Sequence, residues 1–147
     1  MKKFSFSLET VLDYKNQVLD SLQNDHANAV KQMLTQEERV EQLNRQYVSC
    51  NQEFNEKKVH GLTVIEALQY ETYLRNLEEK IKKEYQKLEE CKKEEERRRA
   101  AVVEAKKETS SIEKLKEKKW EQYQKEVQKS EELFVEEFVT YSRLAQK

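Results

Sequence analysis

The chain has 147 residues, with 28 Lys and Arg against 29 Asp and Glu, so 39% of it is charged yet the formal net charge is −1. A hydrophobic share of 36% is too small for a broad globular core, and without a positive excess there is no counterion-release drive for nucleic-acid binding. One glycine, no proline and a dominance of Glu, Lys, Gln, Leu, Arg and Ala predict long helices with their apolar residues on narrow seams.

The opening MKKFSFSLE lacks the apolar core of a secretory leader, and no apolar run approaches the roughly 18 residues of a membrane span. A cytoplasmic protein with no direct membrane span is expected. The first helix is predicted over about residues 7–59. Ser7 can cap it, Glu9 places a negative charge in the first turn where the helix dipole favours one, and Phe6 can staple onto Val11. A heptad template runs through Leu8, Leu12, Lys15, Leu19, Leu22, His26, Ala29, Met33, Gln36, Val40, Leu43, Tyr47, Cys50 and Phe54. Only Lys15, His26 and Gln36 are polar, whereas strand-like alternation would bury Asp20, Asp25 and Glu38. The pattern is that of one long coiled-coil helix.

The turn falls at residues 60–63. Gly61 can adopt the left-handed conformation that follows a helix end. Thr63-Val-Ile-Glu66 is a capping-box pattern that restarts a helix. The second helix is predicted over about residues 64–145, with a seam at Ala67, Tyr70, Leu74, Leu77, Ile81, Glu84, Leu88 and Cys91. The seam weakens in the charge run Lys92–Arg99 and recovers at Val102, Ala105 and Ile112. Thr109-Ser-Ser111 is the expected place for an irregularity, since hydroxyl side chains compete for backbone groups.

A hairpin turning at Gly61 pairs residues whose numbers sum to about 122. That register sets Ile81 against Val40, Val102 between Leu19 and Leu22, and the weak stretch around Glu95 beside His26, where the first helix is also weak. The fold expected is all-α: a long two-helix antiparallel coiled-coil hairpin forming a single domain over residues 1–147, the C-terminal helix overhanging the N-terminal one. At 1.5 Å per residue the two helices run about 80 and about 120 Å. Residues beyond about 118 are then left without an intramolecular partner, yet they carry Trp120, Tyr123, Val127, Phe134, Phe138 and Tyr141 at helical spacing. An apolar stripe in water marks an interaction surface.

Nothing supports catalysis, a metal site or a cofactor. A phosphate-cradling loop needs several glycines. His26 and His60, about 50 Å apart on one helix, cannot share a ligand, and His26 reads as a tolerated polar seam position. The register separates Cys50 from Cys91, so each is read as a small buried hydrophobe. Within Lys92–Arg99, Glu94 with Arg98 and Glu95 with Arg99 form helical i,i+4 pairs on a solvated face.

The stretches FSFSLETVLDYK (Phe4–Lys15) and GLTVIEALQYETYLRNLEEKI (Gly61–Ile81) resemble the FliJ family, the small coiled-coil component of bacterial flagellar type III protein export. Tyr70, Tyr73, Leu74, Leu77 and Ile81 stand at that family's spacing. The resemblance implies a stalk similar to the gamma subunit of rotary ATPases. Its implied partners are a hexameric FliI-like export ATPase, an FlhA-like export gate protein and export chaperones, with peripheral association to the membrane-embedded apparatus. Carried onto this chain, Leu8, Val11, Leu12, Trp120, Tyr123, Val127, Phe134, Phe138 and Tyr141 would face the ATPase. Gln42, Tyr47, Phe54, Tyr73 and Leu77 would face the gate, although Lys80 and Glu84 depart from the smaller or neutral residues expected there. A free monomer is expected. Two other readings are a homodimeric tethering coiled coil, with the overhang as its interface, and the stalk of a virulence-type secretion ATPase. A rotary-ATPase stalk proper would need a domain inserted between the helices, for which Gly61 leaves no room.

Overall fold

The computed structural model describes residues 2–146. Two helices, α1 (Glu9–His60) and α2 (Val64–Ala145), make up almost all of it and pack against each other. The chain divides into two compact units. The turn unit is Leu22–Val102; the terminal unit joins Met1–Ser21 to Val103–Lys147.

In the turn unit the helices reverse at Gly61, whose φ is +108°. Its N–H donates to the Lys57 carbonyl at 2.9 Å, closing the last turn of α1. Two residues later the Thr63 hydroxyl accepts from the Glu66 N–H at 3.2 Å, the hydroxyl half of the expected capping box. The core is the seam itself: Ala29, Val40, Leu43 and Phe54 of α1 with Leu74, Leu77, Leu88 and Val102 of α2 are buried. Above the turn, Phe54 stacks on Tyr70 with centroids 5.1 Å apart. Lys58 lies 3.8 Å from the Phe54 centroid and Lys57 5.2 Å from that of Tyr70, so two cations roof an otherwise apolar pair.

All fourteen seam positions expected along the first helix, thirteen on α1 and Leu8 just before it, are buried or half-buried. The three polar ones each meet a carboxylate of α2. In the turn unit, His26 Nε2 lies 3.0 Å from Glu95 Oε1. Gln36 Nε2 donates to the Glu84 carboxylate at 2.5 Å and to the Glu84 carbonyl at 3.0 Å. In the terminal unit, Lys15 Nζ reaches Glu108 at 2.9 Å. Each pair sums to within two of 122. The polar exceptions are therefore cross-helix locks that penalise any other register, because a slipped pairing would bury them unpartnered. The charge run behaves as expected: Arg98 bonds Glu94 at 2.8 Å, and Arg99 approaches Glu95 at 3.9 Å. Arg98 also reaches across to Asp25 at 3.6 Å.

Two local expectations are corrected. Helix α1 begins at Glu9, and its first turn is closed by the backbone, Glu9 N–H to Phe6 carbonyl at 3.1 Å, with no Ser7 side-chain cap. The hydroxyl cluster does not interrupt α2. Thr109 Oγ1 donates to the Ala105 carbonyl at 2.8 Å and Ser111 Oγ to that of Lys107 at 3.0 Å. Bonding back by one turn satisfies the hydroxyls without breaking the helical ladder, and it lets Thr109 sit buried in the seam.

Candidate functional site

In the terminal unit, residues 2–6 form no helix but lie along α2. Lys116 Nζ lies 2.8 Å from Glu9. Phe4 packs edge-on against Trp120 (5.1 Å, 76°) and tilted against Tyr123 (5.5 Å), which stacks on Trp120 at 5.7 Å. The Tyr123 hydroxyl donates to the Lys2 carbonyl at 2.6 Å. Pairing thus runs past residue 118, contrary to expectation, and reaches Tyr123. A register that pairs helix with helix ends near residue 118, but a non-helical segment can carry the seam further once its aromatic side chain finds a partner.

Beyond Tyr123 the stripe is open. Val127 is half-buried, but Phe134, Phe138 and Tyr141 are 68%, 63% and 75% exposed, with Leu133, Val135, Val139 and Leu144 exposed around them. Of the other residues expected at this end, Val11 is exposed, Leu8 half-buried and Leu12 buried between the helices. Leu12 supports the surface and does not present it. The terminal unit therefore brings Trp120 and Tyr123 together around the Phe4 clasp, with Leu12 lining the groove beside Phe4 and Trp120, then offers Phe134, Phe138 and Tyr141 on a bare helix.

The second candidate surface belongs to the turn unit. Gln42 and Tyr73 are exposed, and Tyr47 is half-buried with its hydroxyl donating to Glu78 at 2.8 Å. That bond holds the Tyr47 phenol above its usual pKa, so the ring stays a neutral donor. Phe54 and Leu77, 4% and 5% exposed, are part of the core. Their place on this surface is taken by neighbours of the expected Tyr73 that lie off the predicted seam. Ile65, Leu68, Gln69, Thr72, Tyr73 and Asn76 line one shallow groove on α2, and Ile65, Leu68 and Tyr73 are all exposed. The signal was a second helical stripe at i, i+3, i+7 and i+8, offset from the Ala67–Ile81 seam and hidden behind it.

Glu84 lies deep in the turn unit and not on a surface, at 4% exposure. The Gln36 amide, with Arg39 at 3.6 Å and Lys87 at 3.5 Å, holds its carboxyl below the usual carboxylate range. The unexpected acid on the seam is thus a structural charge. Cys50 and Cys91 are free and half-buried, and burial pushes the Cys50 thiol up, away from the reactive thiolate. Among the described residues no group of His, Cys, Asp and Glu could hold a metal ion, and no helix is long and apolar enough to cross a membrane.

A family model described as flagellar FliJ protein matches residues 4–147. Comparison with curated proteins and with solved structures gives no match.

Proposed function

Since the chain belongs to the flagellar FliJ protein family, and so to a flagellar export-related role, we propose that it binds the hexameric export ATPase through its terminal unit. In this reading it promotes assembly or activity of the ring and contacts the export gate and export chaperones through its turn unit. The observation that carries the reading is the bare stripe of Phe134, Phe138 and Tyr141 on a helix that has already left its intramolecular partner. Covering one such aromatic side chain contributes about 2 kcal/mol. Three of them offset a sizeable part of the cost of association, which a scattered surface phenylalanine could not do. Catalysis belongs to the partner, the chain acting as a positioned stalk at the periphery of the membrane-embedded apparatus, on its cytoplasmic side.

The turn-unit surface centred on Tyr73, with Gln42, Ile65 and Leu68, is the proposed gate contact. Leu77 and Phe54 act there by holding the helices in register beneath it.

The test is removal of residues 124–147. We expect loss of ATPase stimulation with the helical circular-dichroism signal of the remainder intact, since the deleted residues lie beyond the Phe4–Trp120–Tyr123 clasp. Full stimulation by the truncated chain would overturn the assignment.

A further inference from the structure

The stripe beyond Tyr123 has a charge pattern of its own. Between Ser130 and Ser142 the sequence holds Glu131, Glu132, Glu136 and Glu137 and no Lys or Arg. Elsewhere on α2 many of the acids have partners, as Glu84, Glu89, Glu94, Glu95 and Glu108 do. Among the described residues none of these four is paired with a cation; Glu132 alone has a partner, the Gln128 amide at 3.3 Å. At 3.6 residues per turn, Val127, Phe134, Phe138 and Tyr141 share an arc of about 60°. Glu131 and Glu137 stand about 60° to either side of Phe134, while Glu132 and Glu136 fall about 160° away on the far face. The aromatic row therefore runs between two carboxylates.

From this flanking we infer that the stripe docks into an apolar cleft whose two walls each carry Lys or Arg, one facing Glu131 and the other Glu137. Neither carboxylate has a base three or four residues away to neutralise it, so the helix alone leaves both charges for a partner. A second copy of the chain is the wrong occupant. Stripe-to-stripe pairing, parallel or antiparallel about Phe134, sets these carboxylates against their own kind. An anionic membrane meets the same repulsion. The aromatic row supplies affinity, and the two acids supply orientation and rate of encounter.

The inference rests on the proposed function for its probe, the purified export ATPase of the same bacterium. The full-length chain, its E131Q/E137Q variant and its E132Q/E136Q variant are compared for ATPase affinity at low and at high salt. The wild type should weaken with salt. E131Q/E137Q should bind about tenfold more weakly at low salt with a flattened salt dependence, and E132Q/E136Q should stay within about twofold of wild type. Equal effects of the two variants, or none from E131Q/E137Q, overturn the basic-walled cleft while leaving the ATPase reading in place. A wild-type chain that does not bind the ATPase overturns the reading and the cleft together. Light scattering that finds a dimer tightened by E131Q/E137Q, or a wild-type chain that sediments with anionic vesicles, would overturn the cleft in favour of those occupants.

Discussion

At Gly61 the φ of +108° has no steric companion: a Cβ built there would meet nothing within 4 Å. The requirement is for backbone conformation alone. Gly61→Ala should therefore cost about 1–2 kcal/mol through left-handed strain, a fall in melting temperature of a few degrees, with no change in helical content at low temperature. Thermal unfolding followed by circular dichroism measures it. Glu84 makes the second residue-level case. Its carboxyl lies below the usual range because Gln36 donates to the charged form and Arg39 and Lys87 stand beside it. A folded-state value below the unfolded one adds stability that is fully present above the ordinary carboxylate range and is lost as pH falls through the depressed value. Glu84→Gln should lower the melting temperature at neutral pH, and the gap from wild type should close on acidification. A gap independent of pH would mean that Glu84 acts through packing alone. Gly61 was legible because the chain holds no other glycine. The role of Glu84 was not, since a glutamate on a seam reads as a defect until Gln36 is seen across from it.

The two helices show where pattern reading succeeds and where it stops. Heptad spacing locates the seam from Leu8 through α1 at all fourteen positions because a period near 3.5 residues admits few alternatives over so long a run. The register followed from the turn. The Phe4 clasp did not, because the five residues 2–6 outside a helix have no period to read. Thr109 and Ser111 misled for a related reason. A hydroxyl can break a helix or bond back within it, and composition does not say which. The clasp is testable with the one tryptophan in the chain. Trp120 is 43% exposed with Phe4 against it. Phe4→Ala should shift its emission to the red and raise its quenching by iodide, with the cross-helix pairs of the turn unit undisturbed. An unchanged spectrum would mean that residues 2–6 leave α2 in solution.

Taken whole, the molecule places its buried apolar residues unevenly. Of the ten among the described residues, eight belong to the turn unit and two, Leu12 and Ala105, to the terminal unit. The surfaces expected to bind partners were only partly legible in the sequence, because it ranked Phe54 and Leu77 with Tyr73. Spacing identifies an apolar residue but not whether a neighbour has already covered it. The exposed aromatics after Tyr123 were legible because no residue of α1 remained to face them.

The early turn at Gly61 also governs how the molecule closes. Contacts near it join residues close in sequence: Tyr70 and Glu53 lie 17 positions apart, His26 and Glu95 69, Tyr123 and Lys2 121. Loop-closure entropy makes the near pairs the cheapest first step, and each rung then shortens the loop that the next must close. The hairpin should zip outward from its bend and unzip from its ends, with no proline isomerisation to slow it. Amide hydrogen exchange should show a gradient of protection, highest around Leu43 and Leu77 and falling towards Leu12 and Ala105. Uniform protection along both helices would instead mark a single cooperative unit. Under the gradient, the rungs that carry the clasp are the last to form and the first to open.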